Sequence, residues 1–285
     1  MRWQSGRRSE NIEDRRRVRT PGGAPAIGGC GLLLVILVGL IFGVDPNQLL
    51  DALNAGQAGT TVQQDQTSPE EEVVADFVSV VLAETEDTWG LLFAEAGETY
   101  AQPKLVLFSD AVQSACGFNT AATGPFYCPL DQKVYFDLSF LNQLQRFGAQ
   151  GDFSVAYVIA HEVGHHVQYL LGTQREVQSL QQRVGQKEAN QLSVLLELQA
   201  DCYAGVWAHH ADKRKDLLDS ADIEEGISAA ASVGDDRMQQ MAGRRIQPDA
   251  FTHGSSQQRV DWFLKGWKQG SVQACDTFAA AGLRR

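Results

Sequence analysis

An uncharged apolar segment near the N-terminus most constrains what this chain of 285 residues can fold into. Residues 27–44 read IGGCGLLLVILVGLIFGV, which is close to the shortest length that crosses a bilayer as a helix. Seven arginines lie within residues 1–26, and no Lys or Arg follows the segment until Lys104. Because positive charge favours the cytoplasmic side, this asymmetry predicts that the N-terminus lies inside and the rest of the chain outside.

A cleaved signal peptide is the alternative interpretation of this segment, since it has the same order of basic and apolar regions. The pair Asp45-Pro46, however, follows the apolar residues where small residues would mark a cleavage site. We therefore expect a basic cytoplasmic N-terminus over residues 1–26 and an uncleaved transmembrane helix over residues 27–44. The lipid bilayer is then a partner of the chain.

Residues 45–67 are rich in Gln, Gly, Thr and Asp, and this composition predicts a flexible linker. Ser68, Pro69 and Glu71 then form the pattern of a helix start, with an N-cap, a proline in the first turn and a capping-box acid. The folded domain is therefore expected to span residues 68–285.

The domain is expected to be α+β, mainly helical with a small sheet. Two short runs of aliphatic and aromatic residues, 104–108 and 133–137, predict strands. From residue 153 onward the pattern changes to long helical stretches, the first of which should begin after Asp152 and end at Gly172. Strands followed by helices favour an α+β domain over a doubly wound sheet.

The acidic balance of the chain excludes one class of partner. The formal net charge is -11, and the residues after position 26 carry 17 basic and 32 acidic groups, a net charge of -15. Binding to nucleic acid needs Lys and Arg to displace counterions. We therefore expect no nucleic-acid partner.

The sequence His161-Glu-Val-Gly-His165 carries the clearest chemical signal. Residues four apart share one face of a helix, so His161 and His165 can present two imidazoles to a single zinc ion. Glu162 lies beside the first histidine and can reach a metal-activated water, which predicts a general base. His166 points to another face and is expected to be structural or to support a ligand.

A third protein ligand is expected because catalytic zinc usually has three and keeps one open position. The extended motif of metzincins would require Gly at 168 and His at 171, whereas this chain has Gln168 and Leu171. Glu197 and Asp201 stand four apart in a segment rich in Leu and Ala, where carboxylates are costly unless paired or bound to metal. We expect Glu197 to be the third ligand and Asp201 to accept a hydrogen bond from a ligand histidine. A salt-bridged pair on a half-exposed helix is the alternative.

These motifs resemble a known class of peptidase. His161-Glu-Val-Gly-His-His-Val-Gln168 with Glu197-Leu-Gln-Ala-Asp201 is similar to zincin peptidases whose third ligand is glutamate, and the chain resembles the bacterial family of "putative neutral zinc metallopeptidases". The likeness extends over Gly124-Pro-Phe-Tyr-Cys-Pro129, Val233-Gly-Asp-Asp-Arg237, Phe251-Thr-His-Gly254 and Cys275-Asp-Thr-Phe278. It implies a zincin-like fold with one zinc ion. It also implies a bacterial cytoplasmic membrane protein whose catalytic domain is periplasmic or extracellular.

The resemblance also implies roles for two residues near the C-terminus. Thr252-His253 followed by Arg259 is similar to a segment in membrane-associated zinc peptidases of the glutamate-ligand type. By that likeness, His253 or Arg259 would help to stabilise the oxyanion, which adds His253 to the catalytic set. A loop histidine near a helix cap is the alternative for His253.

The expected function is hydrolysis of peptide bonds in a peptide or protein substrate by a metal-activated water. Zinc held by His161, His165 and Glu197 would activate the water, and Glu162 would move its proton. A catalytically inactive zincin that acts as an extracytoplasmic binding or scaffolding module is the alternative. A structural zinc site ranks last, because such sites are normally closed, four-coordinate and rich in Cys.

Four cysteines follow the apolar segment, which itself contains Cys30. In a domain outside the membrane, an even number suggests two disulfides. Cys116, Cys128, Cys202 and Cys275 allow three pairings. Proximity in the sequence favours Cys116–Cys128, and Cys202–Cys275 would then tie the C-terminal tail to the helix of the predicted third ligand.

Overall fold

The computed structural model describes residues 1–17, 67–120 and 123–283. One compact unit comprises Met1–Arg15 together with Ser68–Arg285, and a second comprises Arg16–Thr67. The predicted transmembrane helix over residues 27–44 lies outside the described residues, as does the predicted linker up to residue 66. The elements below all belong to the first unit.

Strands and helices follow one another in an α+β arrangement that is mainly helical, which confirms the predicted class. The strands of the described ranges are β1 (Ile12–Asp14), β2 (Lys104–Phe108), β3 (Ala111–Ser114), β4 (Gly117–Thr120), β5 (Phe126–Cys128) and β6 (Lys133–Asp137). The α-helices of the same ranges are α1 (Pro69–Glu95), α2 (Phe140–Arg146), α3 (Asp152–Leu170), α4 (Thr173–Gln181), α5 (Gln186–Lys215), α6 (Ser220–Ser232), α7 (Asp235–Met241), α8 (Ser256–Gln269) and α9 (Thr277–Ala280). Two short 3-10 helices span Pro248–Ala250 and Val272–Cys275.

The small sheet has the strand order β1-β2-β6-β5, and the hairpin β3-β4 forms a separate ribbon. Strands β1, β2 and β6 are parallel, whereas β5 runs antiparallel to β6 at the edge. Alternate residues of β2 face opposite sides, so Leu105 and Leu107 pack in the main helical core while Val106 and Phe108 pack in a second, smaller core. Both faces of the central strands are therefore covered.

The start of helix α1 follows directly from its sequence. The Ser68 hydroxyl accepts a hydrogen bond from the backbone N–H of Glu71, and the Glu71 carboxylate accepts one from the Ser68 N–H. This reciprocal capping box satisfies two of the N–H groups that a helix start leaves without partners. The predicted start of the helix is confirmed.

Two glycines allow helix α5 to approach its neighbours closely. A Cβ at Gly164 of α3 would lie 3.0 Å from the carbonyl oxygen of Ala200, and a Cβ at Gly266 of α8 would lie only 2.0 Å from that of Cys202. Helices α3 and α8 thus meet α5 at the same level from two sides. This packing brings side chains of all three helices together around Asp201.

Both predicted disulfides are present. Cys116–Cys128 joins the turn of the β3-β4 hairpin to the end of β5, and Cys202–Cys275 joins α5 to the C-terminal tail. The side-chain amide of Gln199 donates to the carbonyl of Cys275 beside the second bridge, at 3.0 Å. The tail is thus fixed to the middle of α5.

The first 15 residues belong to the same compact unit as the domain that begins at Ser68. The predicted membrane topology, with these residues inside and the domain outside, is therefore wrong. Ile12 and Asp14 of β1 pair in parallel with Leu105 and Leu107 of β2. Residues that complete this sheet cannot lie across a membrane from it, so an inside N-terminus with an outside domain is excluded. Among the residues that the structure describes, we find no helix with the length and hydropathy needed to span a bilayer.

The arginines that suggested a cytoplasmic N-terminus have a different role. Arg7 forms ion pairs with Glu86 and Asp87 of α1, and Arg8 pairs with Asp76 of the same helix. The N-terminal ammonium also lies 2.8 Å from carboxylates of two further helices, those of Asp152 and Asp222. These basic groups hold the N-terminal segment against the acidic surface of the domain.

Candidate active site

Helix α3 carries the central motif into a cavity of about 650 Å³. His161, Glu162 and His165 line the cavity from this helix, and Tyr127 of the edge strand β5 lines it as well. Glu197 reaches the same cavity from helix α5. The structure therefore brings together residues separated by more than 30 positions, as the spacing of the two motifs predicts.

Three of these side chains converge on one point. The Nε2 atom of His161 lies 3.2 Å from one oxygen of Glu197, and the Nε2 atom of His165 lies 3.4 Å from the other. One potential ligand atom from each residue lies within 4.8 Å of the other two. These three residues can therefore hold one metal ion.

The second nitrogen of each histidine has its own acceptor. His161 donates through Nδ1 to Asp201 at 2.8 Å, and His165 donates through Nδ1 to the Gln168 side-chain oxygen at 2.9 Å. The Gln168 amide nitrogen donates to the carbonyl of Leu196 at 2.7 Å, which orients the amide. These acceptors fix Nδ1 as the donor nitrogen of each ring and direct Nε2 towards Glu197, the orientation that a metal-binding histidine needs.

Asp201 is itself held by a buried charge. Nε and Nη2 of Arg259 donate to its two oxygens, each at 2.9 Å, and the Tyr157 hydroxyl donates to one of them. Burial alone would raise the pKa of Asp201, but Arg259 and His161 lower it to about 2. Arg259 therefore lies behind the candidate ligand His161, where it positions Asp201.

We expect Arg259→Met to reduce the free energy of unfolding by about 3 kcal/mol, because it leaves the buried carboxylate of Asp201 without its cation. Urea denaturation of the metal-free protein would measure this loss. The double variant Arg259→Met with Asp201→Asn should recover part of it, since no unpaired charge then remains. An additive loss in the double variant would contradict the pairing.

The electrostatics of the two glutamates differ. Burial raises the pKa of Glu162 above the usual value for a carboxyl group, and the two histidines oppose this increase. Burial also disfavours ionisation of Glu197, but there His165 and His161 dominate and lower its pKa. Glu197 thus stays ionised as a ligand must, whereas Glu162 has the raised pKa that suits a group exchanging protons.

His253 lies at the rim of the cavity and is oriented by Asp235, the first residue of α7. One Asp235 oxygen accepts the backbone N–H groups of Thr252, His253 and Gly254, at 2.7, 2.6 and 3.1 Å. The other oxygen lies 3.2 Å from Nδ1 of His253. This hydrogen bond raises the pKa of His253, and the charge of Glu197 acts in the same direction against the effect of burial.

His166 lies on the opposite side of α3, as expected from its place on the helix. It is fully buried, with one nitrogen 3.0 Å from the Tyr127 hydroxyl and the other 2.6 Å from the carbonyl of Ala101. The residue therefore holds the edge strand β5 against the motif helix.

Sequence reasoning missed three of the supporting residues. The sequence analysis assigns no supporting role to Tyr157, Gln168 or Asp235. A signal existed for Tyr157 and Gln168, since each lies one helical turn from a motif histidine on α3. Nothing local to Asp235 points to His253, because 18 residues separate them.

The donor set fits zinc. Two imidazole nitrogens and one carboxylate are ligands that zinc takes in catalytic sites, where a fourth position stays open. The hydrogen bonds of His161 and His165 direct their Nε2 atoms towards Glu197, and the two histidines lower the pKa of that carboxyl group. The residues present could therefore hold zinc.

Comparison with known proteins identifies the family of the chain. The family model described as "putative neutral zinc metallopeptidase" matches residues 1–278. The chain is 48% identical to the uncharacterized protein YpfJ of Escherichia coli K12, over 98% of this chain and 99% of that protein. It is 39% identical to the uncharacterized protein Rv2575 of Mycobacterium tuberculosis H37Rv, over 86% of each chain. No solved structure matches the chain. The chain belongs to the family described as "putative neutral zinc metallopeptidase".

Proposed function

We propose that this chain is a zinc-dependent peptidase, with zinc bound by His161, His165 and Glu197 and with Glu162 as the general base. The observation that carries the proposal is the convergence of two Nε2 atoms and one carboxylate within 4.8 Å beside a buried glutamate. We also infer a zincin-like arrangement, because the motif helix packs against a small sheet whose antiparallel edge strand borders the cavity. The family description supports the same reaction class.

The protein residues around the cavity have different roles in the reaction. When bound, zinc supplies Lewis acidity, which lowers the pKa of water and polarises a carbonyl group. Glu162 takes the proton of the water that attacks the peptide carbonyl and delivers it to the leaving nitrogen. Asp201 and Gln168 keep the two histidines in the required tautomer.

His253 is placed to stabilise negative charge on the carbonyl oxygen. The Asp235 carboxylate orients its ring through Nδ1 and holds the backbone of its loop. Nε2 is then free to donate a hydrogen bond into the cavity, which His253 lines. Such a pre-oriented donor stabilises developing charge without reorganisation.

Hydrolysis of a peptide library by the full chain loaded with zinc tests the reaction. We expect cleavage that a chelator abolishes and that added zinc restores. Binding of zinc without cleavage of any peptide would contradict the proposal and favour a catalytically inactive binding module.

The ligand assignment has its own test. We expect Glu197→Ala to raise the dissociation constant for zinc by at least about tenfold. Loss of a residue that only hydrogen-bonds to a ligand already weakens metal binding by about that factor, so loss of a ligand should do at least as much. Competition with a chromophoric chelator measures the constant. Glu188→Ala is the matched control, because Glu188 is exposed on the same helix and should leave zinc affinity unchanged. Equal affinity in the two variants would show that Glu197 is not a ligand.

A further inference from the structure

The cavity extends along helix α3 to both sides of the candidate metal site. Val158 lines it one turn before His161, and Gln174 lines it at the start of α4, beyond His165. From Val158 to His165 the helix alone rises about 10 Å. A peptide bond at the motif therefore has space for substrate residues on either side.

Among the described residues, the charged groups of the cavity are paired within the protein or assigned to the reaction, as Glu162 and His253 are, so none is left to bind a chain terminus. Arg259 is buried against Asp201, Asp235 holds the loop of His253, and Glu197 faces the two motif histidines. Glu162 is the remaining acid among the described residues that line the cavity. An exopeptidase must pair the terminal ammonium or carboxylate of its substrate, because an unpaired charge is costly to bury.

One wall of the cavity is apolar. It is formed by Phe140 and Phe147 at the two ends of α2, by Val158 of α3 and by Met238 of α7. The guanidinium of Arg237 donates to the carbonyl of Phe147 at 2.6 Å, which joins α7 to this wall. Burial of an aliphatic or aromatic side chain there is favourable in proportion to its apolar area.

The opposite end of the cavity offers a hydrogen-bond acceptor. The side-chain oxygen of Gln174 is buried and accepts no hydrogen bond within the described part of the chain. A buried acceptor without a donor costs free energy, which a backbone N–H of an extended peptide would recover once the side chain turns into the cavity. Recognition of a main-chain group at this end suits a substrate that passes through the cavity.

We propose that the protein is an endopeptidase that cleaves within extended peptides beside an aliphatic or aromatic side chain, and that Met238 determines this specificity. The inference rests on the proposed peptidase function and adds the substrate class. Met238 is suited to the role because α7 buries none of its residues, so substitutions there should not disturb the core.

Peptides of identical sequence with free ends or with acetyl and amide blocks test the endopeptidase assignment. We expect the zinc-loaded full chain to cleave both at the same internal bond, with kcat/KM within a factor of about two. Cleavage confined to residues at free ends would overturn this inference and leave the peptidase function intact. Absence of any cleavage would instead overturn the proposed function on which the inference rests.

Opposite charges at position 238 test the specificity. We expect Met238→Glu and Met238→Lys each to lower kcat/KM by about tenfold for a peptide with Leu or Phe beside the scissile bond. This factor corresponds to the free energy of roughly one lost apolar contact. Met238→Glu should shift the preference towards Lys at that position, and Met238→Lys towards Glu. General damage would lower all rates equally, and that outcome would overturn the assignment.

Met241 provides the matched control. It lies on the same helix and is 47% exposed, against 39% for Met238, but it does not line the cavity. Met241→Glu should leave the preference unchanged. Binding of a blocked Leu peptide to the Glu162→Gln protein, measured by fluorescence anisotropy, should weaken about tenfold on addition of Met238→Glu but not of Met241→Glu. Equal effects of the two substitutions would overturn the role of Met238.

Discussion

Glu162→Gln is expected to reduce turnover by at least about two orders of magnitude, the usual contribution of a positioned acid–base group. Glutamine has the same shape as the buried glutamate and fits the same place on α3, but it cannot accept the proton of the attacking water. Glu162 does not belong to the convergent set formed by His161, His165 and Glu197. Zinc content and melting temperature should therefore remain those of the unsubstituted protein.

Metal analysis and steady-state hydrolysis, performed on the same preparation, measure these two expectations. Glu176→Gln is the matched control and should keep full activity, because Glu176 is exposed in the first turn of α4. Persistent hydrolysis by the Glu162→Gln protein would remove this residue from the mechanism. Loss of zinc from the variant would mean instead that Glu162 binds the metal.

The candidate metal ligands could be predicted because the rules that locate them are local. Residues four apart on a helix share a face, so His161 and His165 point the same way before any tertiary contact is known. Glu197 and Asp201 were found by the cost of placing carboxylates in an apolar helix. Both arguments need only the helix and its sequence, and the structure places all four side chains together.

The network behind the ligands could not be predicted, because it depends on how the helices cross. Arg259 reaches Asp201 because α8 packs closely on α5 at Gly205 and Gly266, and a sequence does not show which glycines lie at a crossing. The resemblance to other peptidases suggested Arg259 for the oxyanion. Its guanidinium is instead occupied by Asp201 and lies on the far side of the histidine from the ligand atoms.

The N-terminal segment was misread for a similar reason. Arginines before an apolar segment are typical of membrane topology signals. The rule that positive charge marks the cytoplasmic side takes no account of ion pairs that the arginines form within the fold. Arg7 and Arg8 have such partners on α1. Strand β1 is Ile12-Glu13-Asp14, with two acidic residues in three, so its sequence carries almost no strand signal. Its place in the sheet is set by β2, which is more than 85 residues away.

Deletion of residues 1–15 is expected to cost on the order of 5 kcal/mol of the free energy of unfolding, through loss of apolar burial at Met1, Trp3 and Ile12. The Trp3 ring packs edge-on against Phe77 of α1, with 5.2 Å between centroids. The deletion also exposes the edge of β2 and leaves the buried carboxylate of Asp222 without the ammonium. Since a domain has only about 5–15 kcal/mol in total, at least about one third of the stability should be lost.

Urea denaturation and size-exclusion chromatography of the truncated and full chains measure this loss, and association through the open edge of β2 is expected as well. A second variant separates the role of residues 1–15 from that of the segment after them. It keeps residues 1–17 and replaces residues 21–63 with a short Gly/Ser linker, which can close because the Arg17 guanidinium lies 3.2 Å from the Thr67 hydroxyl. The free energy of unfolding of this variant should stay close to that of the full chain and well above that of the truncated protein. The length of the connection alone changes stability by only about 0.6 kcal/mol per doubling. Equal stability of the truncated and full chains would show that the strand pairing and the ion pairs of the N-terminus contribute nothing to the fold.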